Sequence, residues 1–484
     1  MRSIALALAL CLVTAACGRG SSTTAAPPSS PAASSGTGAG STPGLDQGAF
    51  GNLGVLCHAA PANSGPYTAT DLGVTANAID VTTFSDPGYS GAKGLNEELF
   101  DTATAFTNWC NAHGGINGRH IDVTLSDGKL LEAEQRMVEA CDDKTFMAVG
   151  GGNVFDDTMQ SDRLGCKNGA IPQVAGYLVT AKAVGSDLTI VPSPAPLQDQ
   201  SVGMLRWLTQ HFPSTTDHIG IMTGEISTTE VVAQRTQEAL GDIGAKVIYN
   251  GLYPPTGTDN WRPYVSAMQA KGVRGLYWVG QPAGLAQMLD AAKGLGLKLD
   301  WVAAESNHYD PVLFQNASPL SAVNGVYVNS SQAPFLPGAA SKNTATQDYL
   351  DMMQRWGGSS KKIASLGDLA LSGWLLWAKA AGECGADLTR DCVWAKLKAV
   401  HSWTGGGLMA VSDPGNDKGS PCFTLFETQN GKFTQPDINA NTGIYNCSAD
   451  NVVVLKRNYG TGARCPNPVY RSDPKPSTCG PAKG

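Results

Sequence analysis

Two polar segments of this sequence contain residue types that can hold small charged solutes. The first is the segment AVGGGNVFDDT at 148–158, which places three glycines and Asn153 after an apolar run. Backbone amides at the start of a helix attract a carboxylate or a phosphate, because the helix dipole adds to their partial positive charge. Phe155 stands where GxGxxG needs its third glycine, and no Lys-Ser/Thr follows as in a P-loop. Two interpretations therefore stay open, an anion-binding loop and a structural turn.

The second segment is WVAAESNHYDP at 301–311, in which Glu305 follows an apolar run. If that run is a strand of an open α/β sheet, Glu305 lies at its carboxyl end, where such sheets bind their ligands. A carboxylate in that position suits an ammonium group. The alternative is a helix-capping or surface carboxylate.

The sequence lacks the local patterns that mark common enzymes. It contains no HExxH and no GxSxG, and its seven histidines are scattered. It also has no CxxC motif or Cys/His cluster at metal-ligand spacing, so we expect neither a metal nor a cofactor. A catalytic triad assembled only in space stays open, but the sequence favours binding without catalysis.

The N-terminal residues predict export and anchoring. Residues 1–16 have the early Arg2, the apolar run and the small-residue exit of a signal peptide. Cys17 follows directly, as in the bacterial lipobox, where a cysteine thiol receives a diacylglycerol. The alternative is ordinary cleavage that leaves Cys17 a free or paired thiol. We expect 17–48, rich in Ser, Ala, Gly and Pro, to be a flexible tether, because it is nearly devoid of large apolar side chains.

Composition excludes some partners of the mature chain. Without Arg2 it has 33 basic and 41 acidic side chains and no dense Lys/Arg cluster, which argues against a nucleic acid partner. No later segment has eighteen uninterrupted apolar residues. The hydrophobic fraction of 42% and the length predict a soluble body of two domains.

Ten of the twelve cysteines lie beyond Cys17, and an even number in an oxidising compartment predicts disulfides. The sequence alone does not fix their connectivity. Proximity along the chain suggests the pairs Cys141–Cys166, Cys384–Cys392, Cys422–Cys447 and Cys465–Cys479, which leaves Cys57 with Cys110.

Apolar segments with strand character alternate with helical segments of ten to fifteen residues. This rhythm predicts βαβ units and therefore an α/β fold with parallel sheets. The turn-rich segment VPSPAPLQDQ at 191–200 separates two sets of such units, which indicates two lobes. The glycine-rich NAHGGINGR at 111–119 follows a helix and precedes a strand, the reverse of the order in a phosphate cradle, so we interpret it as a structural turn.

Several segments together resemble the type I periplasmic binding proteins, specifically the leucine/isoleucine/valine-binding receptors of ABC importers. The similarity covers roughly 73–433. The segments that carry it are IDVTTFSDPGYSG, NAHGGINGRHIDVTLSD, FMAVGGGNVFDD, IPQVAGYLVT, HIGIMTGE, LYWVGQPAGLAQMLDAA and WVAAESNHYDP.

The resemblance implies two Rossmann-like lobes joined by three crossings, with a ligand cleft that closes by a hinge. The first lobe would comprise 73–197 and 336–400, and the second 198–335 and 401–447. We expect the Pro-rich tail at 448–484 to be irregular.

Site residues transfer from the family one at a time. In the first lobe, the glycine loop would hold an amino-acid carboxylate and the segment after IPQVAG would contact the ligand backbone. Glu305 would take the α-ammonium. The residues so implied in the first lobe are Ser85, Asp86, Tyr89, Gly151, Gly152, Asn153, Tyr177 and Val179.

Two departures bear on specificity. The family often has a tyrosine at the start of the first helix of the second lobe, where this chain has Ser-Thr-Thr around Thr228. An aromatic residue often follows the YWVG strand, where this chain has Gln281. Both positions are candidate ligand contacts, but these exchanges open the cleft to other polar or carboxylate-bearing molecules, amides and urea included.

These features predict an extracytoplasmic lipoprotein on the outer face of a bacterial cell membrane. We expect a monomer that captures a small solute, with a branched-chain or other amino acid first among candidates, and delivers it to an ABC permease. Alternatives are a sensory receptor of the same fold and a hydrolase with a spatially assembled site.

Overall fold

The computed structural model describes residues 44–62, 64, 67–254, 257–336 and 343–465. The predicted signal peptide and Cys17 lie outside these residues. Strands and helices alternate along the described chain. The strands are β1 Ala78–Ser85, β2 His120–Asp127, β3 Met147–Val149, β4 Gln173–Val174, β5 Thr189–Ile190, β6 Asp199–Ser201, β7 Ile219–Gly224, β8 Val247–Tyr253, β9 Gly275–Val279, β10 Trp301–Ala304, β11 Val326–Ser330, β12 Cys422–Gln429, β13 Lys432–Thr434, β14 Asn446–Cys447 and β15 Val452–Val454.

The helices range from four to twenty residues. They are α1 Glu98–Ala112, α2 Ala133–Asp142, α3 Gln160–Gly165, α4 Gly203–His211, α5 Ser227–Asp242, α6 Arg262–Lys271, α7 Pro282–Gly294, α8 Val312–Gln315, α9 Thr344–Trp356, α10 Ser365–Cys384 and α11 Arg390–Lys398.

The first sheet has the order β2-β1-β3-β4-β5, and all its pairings are parallel. Five consecutive residues of β1, from Val81 to Ser85, are buried. Burial on both faces is typical of a parallel strand covered by helices on each side. The sheet and its helices α1, α2, α3, α9, α10 and α11 form what we call the first lobe.

The second sheet has the order β13-β12-β11-β10-β9-β7-β8. Its strands from β7 to β11 pair in parallel, whereas β12 is antiparallel to β11 and to β13. With α4 to α8 it forms what we call the second lobe. The α/β fold with parallel strands in separate lobes is thereby confirmed.

The chain passes between the two sheets three times, after β5, after β11 and after α11. Since the strands of each sheet come from separate stretches of chain, each lobe is discontinuous in sequence. The residue limits given above for the two lobes stay predictions.

The core of the first lobe is built on α10, which has sixteen buried residues. Trp374 and Trp377, one turn apart, are fully buried, and the ring of Trp374 stacks on Phe106 of α1 with centroids 5.2 Å apart. This aromatic contact fixes α1 against α10 and so positions the start of both helices.

Two predicted irregular segments are ordered in part. The prediction of flexibility is wrong at the end of the tether, because Leu45 is fully buried and its carbonyl accepts a hydrogen bond from Trp109 Nε1 at 2.9 Å. The prediction of an irregular tail is wrong at β15, because this strand pairs antiparallel with β6. Beyond it, the Tyr459 hydroxyl donates to Glu238 at 2.8 Å. In both segments a few apolar residues pack against the rest of the folded chain.

Four of the five suggested disulfides are confirmed. They are Cys57–Cys110, Cys141–Cys166, Cys384–Cys392 and Cys422–Cys447. Cys465 is also disulfide-bonded, and its suggested partner Cys479 lies outside the described residues.

A buried ion cluster joins the two lobes. Lys362, between α9 and α10, places its Nζ 2.8 Å from Glu98 of α1 and 3.1 Å from Asp310 of the second lobe. The side chains of Glu98 and Asp310 are only 3% and 6% exposed. Burial raises the pKa of Glu98, and the nearby Lys362 opposes that rise. One cation therefore compensates two carboxylates from different lobes.

Replacing this cation gives a test of the cluster. We expect Lys362→Met to lower the free energy of unfolding by about 3 kcal/mol, because two buried carboxylates lose their partner. Burial holds the pKa of Glu98 above its unfolded value, and removing Lys362 raises that pKa further. The free energy of unfolding of the variant therefore falls more steeply than that of the wild type as pH rises. The loss in the variant should therefore be larger at pH 8 than at pH 5 in urea titrations. Lys361→Met, at the exposed neighbouring lysine, is the control, and equal effects of the two substitutions would contradict the assignment.

Candidate functional site

A cavity of about 260 Å³ lies between the lobes, at the carboxyl ends of strands from both sheets. Open α/β sheets bind ligands at this edge because the loops after parallel strands gather there. The first lobe contributes Asn96, Val154, Tyr177, Leu178, Val179, Leu366 and Leu369. The second lobe contributes Thr228, Thr229, Val232, Trp278, Val279, Gly280, Gln281, Glu305, Ser306, Asn307 and His308.

Glu305 follows β10 directly and is held by neighbours in the second sheet. Tyr277 of the adjacent strand β9 donates its hydroxyl to Glu305 Oε1, and Asn329 Nδ2 donates to Oε2 at 3.2 Å. Burial raises the pKa of Glu305, while these hydrogen bonds and Arg235 act in the opposite direction. A carboxylate offers about four lone-pair directions, so two donors leave it able to accept more.

Tyr177 is held by Asn96, whose Nδ2 donates to the tyrosine hydroxyl at 2.6 Å. Asn96 has a positive φ of 55°, and its carbonyl accepts from Ser85 Oγ at 2.8 Å. The Tyr177 ring lies against Gly152, where an added Cβ would come within 2.6 Å of it. The tyrosine lines the cavity, and the glycine behind it does not.

Asp156 shapes the loop that carries Val179. Its carboxylate accepts the backbone amides of Val179 at 2.8 Å and Thr180 at 3.1 Å. Burial raises the pKa of Asp156 to about 7, against the effect of these hydrogen bonds. The position of Asp156 in the segment AVGGGNVFDDT indicates no role for it, because only the fold brings residues 156 and 179 together.

Asp86 and Asn153 join three loops of the first lobe. Asp86 is fully buried and accepts from the amide of Leu130, from Asn153 Nδ2 and from the amide of Val154, each at 2.9 Å. Asn153 also donates to the Ser85 carbonyl at 3.1 Å. These hydrogen bonds hold the loops after β1, β2 and β3 together, whereas Asn153 Oδ1 is buried without a partner among the described residues.

The glycine loop differs from the expected anion site. The amide of Gly152 donates to the Phe84 carbonyl at 2.9 Å, so it is not free for a carboxylate. The helix expected directly after the loop begins only at Gln160 and has six residues. The expectation of free amides at a helix start is therefore wrong for Gly152.

The structure brings five of the expected residues together at the cavity, namely Tyr177, Val179, Thr228, Gln281 and Glu305. The others lie outside its lining, namely Ser85, Asp86, Tyr89, Gly151, Gly152 and Asn153. Ligand contact by any of the eleven stays a prediction.

The place of several residues in the cavity lining was not predicted from the sequence. Leu366 and Leu369 open α10 at helical spacing, which signals a buried face but not the cavity it meets. Asn96 sits in the loop before α1 without a motif. His308, three residues after Glu305, lies in the segment WVAAESNHYDP, yet an isolated histidine carries no signal of its own.

The described lining residues have little charge. They include neither Lys nor Arg, and Glu305 is their single carboxylate. Burial lowers the pKa of His308 to about 4, so its ring is neutral at physiological pH. The cavity therefore offers apolar walls, the acceptors Glu305 and His308, and neutral donors such as Thr228 Oγ1 and Trp278 Nε1, but no cationic side chain from this part of the chain.

Two α/β lobes, three connections and a cavity between the lobes form the architecture of a bilobal binding protein. Sequence comparison agrees, since the family model of the periplasmic binding proteins matches residues 89–432. The chain belongs to this family, and the resemblance noted from its segments is confirmed. No curated protein sequence matches the chain.

Solved structures share the fold at low sequence identity. A fatty acid ABC transporter substrate-binding protein from Thermomonospora curvata is 15% identical, with a TM-score of 0.62 over 78% of this chain and 97% of that one. A branched-chain amino acid ABC transporter from Thermus thermophilus with bound valine is 14% identical, with 0.61 over 78% and 98%. A solute-binding protein from R. palustris in complex with 4-hydroxybenzoate is 13% identical, with 0.59 over 75% and 96%.

Membership places the protein among extracytoplasmic solute-binding proteins that work with ABC transporter permeases. This family of solute-binding proteins is not a class of enzymes. Within the described part of the chain, no helix has the length and apolar character needed to cross a membrane.

The contact between Tyr177 and Gly152 can be tested by adding one methyl group. We expect Gly152→Ala to lower the free energy of unfolding by about 1–3 kcal/mol, because the new Cβ overlaps the ring and carbonyl of Tyr177. Gly241→Ala is the matched control, since its Cβ in α5 meets nothing within 4 Å. Denaturant titration measures both, and an unchanged midpoint for Gly152→Ala would contradict the packing.

Proposed function

We propose that this protein is the solute receptor of an ABC importer, tethered by a lipid on Cys17 to the outer face of a bacterial membrane. Acting as a monomer, it captures a small solute between its lobes and presents it to the permease. The family match supports the transport role, and the signal peptide followed by Cys17 supports the anchor.

The observation that carries the ligand assignment is the unequal lining of the cavity. The first lobe contributes mainly apolar side chains, among them Leu178, Leu366 and Leu369. The second lobe contributes Glu305, which retains accepting capacity beside Tyr277 and Asn329. A solute with an apolar body and a hydrogen-bond-donating end fits both sides. A branched-chain or other amino acid, with its ammonium at Glu305, is the first candidate.

A neutral amide is the second candidate, because the described lining offers no cationic partner to a carboxylate. The Gly152 amide, which was the expected partner of a ligand carboxylate, donates to the Phe84 carbonyl. An amide presents donors to Glu305 without bringing a negative charge into the cavity. The same observation disfavours a small carboxylate that lacks a donor. A sensory receptor of the same fold stays an alternative, which neighbouring permease and ATPase genes would exclude.

The ligand assignment predicts the effect of one isosteric change. For any ammonium-bearing solute that binds, we expect Glu305→Gln to weaken binding by about 2 kcal/mol, because the cation loses its charged acceptor in a closed cleft. Calorimetric titration after a thermal-shift survey of the amino acids and small amides measures it. Glu427→Gln is the control, since Glu427 also accepts a tyrosine hydroxyl but lies outside the cavity.

Equal losses in the two variants would remove Glu305 from the ligand site. If every amino acid leaves melting unchanged while amides stabilise the protein, the first candidate gives way to the second.

The anchor predicts a separate, ligand-independent result. Expressed in a bacterial host with its own N-terminus, the protein should incorporate a fatty-acid label and partition with membranes. Cys17→Ser should abolish labelling and release the protein, because it removes the thiol directly after the predicted signal exit. Cys11→Ser, within the predicted signal peptide, is the control. A Cys17→Ser protein that still carries label would refute the assignment.

A further inference from the structure

His308 is an unusual side chain in the cavity. It lines the space between the lobes, yet it is only 1% exposed. It closes the short turn Ser306–His308, which contacts α10 of the first lobe. Its Nε2 is buried and has no hydrogen-bond partner among the described residues. A buried polar atom without a partner costs free energy, so its position needs an explanation.

The other ring nitrogen is fully used. His308 Nδ1 lies 3.2 Å from the Glu305 carbonyl oxygen and 3.0 Å from Asn307 Oδ1. Both partners are acceptors, so Nδ1 must carry the proton. Burial lowers the pKa of His308 to about 4, so the ring carries one proton at neutral pH and Nε2 has a bare lone pair.

The orientation of Asn307 is fixed independently. Its Nδ2 donates to the Gly280 carbonyl at 3.0 Å, at the end of β9. Turning the amide over would place its oxygen against that carbonyl and its NH2 group against a protonated His308 Nδ1. The contacts from Gly280 through Asn307 to His308 therefore hold one tautomer, in which Nδ1 is the donor and Nε2 is the bare acceptor of a side chain that lines the cavity.

We propose that His308 Nε2 is a ligand acceptor that selects solutes with a hydrogen-bond donor at the junction of the lobes. This inference rests on the proposed function and sharpens it, because it assigns a second acceptor three residues from Glu305. Asn307 is a positioning residue that acts through the tautomer of His308. A solute with a donor at its polar end gains a hydrogen bond to Nε2 that a donor-free solute cannot make, and it is therefore preferred.

The first test does not depend on knowing the ligand. Long-range proton–nitrogen correlation NMR of the ligand-free protein, labelled with ¹⁵N-histidine, distinguishes the tautomers. The His308 signals are assigned by their absence in His308→Gln. We expect a protonated Nδ1 and an unprotonated Nε2. A protonated Nε2, or a doubly protonated ring at pH 7, would overturn the acceptor role.

The second test uses a panel of the twenty amino acids, acetamide, isobutyramide, urea and the donor-free 4-methyl-2-oxopentanoate. For each solute that raises the melting temperature, calorimetry compares the wild type with His308→Phe and His308→Gln. We expect His308→Phe to weaken binding at least about tenfold, since the ligand donor loses its acceptor. His308→Gln should stay within about threefold, because its amide oxygen can replace Nε2. His401→Phe, at an exposed histidine, is the control.

The outcomes separate the two proposals. If a solute binds His308→Phe as tightly as the wild type, or if 4-methyl-2-oxopentanoate binds as well as leucine, the selective role of His308 falls while the receptor function stands. If no solute in the panel binds, the proposed ligand classes fall, and the tautomer alone decides whether Nε2 is an acceptor.

Discussion

Every polar group at the cavity depends on where parallel strands end. Because all strands of a parallel arrangement point the same way, the loops that follow them gather at one edge of the sheet. Three passes of the chain between the sheets bring two such edges together. Residues 128 positions apart in sequence, Tyr177 and Glu305, therefore line one small space. Without this constraint neither lobe would have a site.

Buried carboxylates serve different purposes in the two lobes. In the first lobe, Asp86 and Asp156 accept backbone amides and hold the loops in place. Their burial is costly, and the amides they satisfy would otherwise be buried without partners. Neither of these carboxylates lines the cavity, and the surface that the first lobe presents to it is mainly apolar. In the second lobe, Glu305 is held by two side chains and keeps capacity to accept from a solute.

The sequence predicts the fold well because its signals are local. Alternating apolar periods predict the two sets of βαβ units, and closeness in sequence predicts three of the confirmed disulfides, with Cys57–Cys110 as a remaining pair. The position of Glu305 at a strand end also follows from its neighbours. The partner of each backbone amide does not, since whether Gly152 faces a solute or Phe84 is decided by the register of loops between distant strands. Composition likewise cannot show that Leu45 is buried, because its pocket is built by residues such as Trp109.

The lobes are also held together at a point away from the cavity lining. Lys362 bridges Glu98 and Asp310 across the lobes, so part of the attraction between them exists without any solute. A solute can shift the opening equilibrium only by its difference in affinity for the open and closed forms. For a cleft with apolar walls on one side and acceptors on the other, that difference comes from contacts made with both lobes at once. The stronger the ion cluster, the less a solute must contribute to close the lobes, and the less closure discriminates between solutes. Selectivity then depends on the acceptors of the second lobe, whose lone pairs favour a solute that carries a donor.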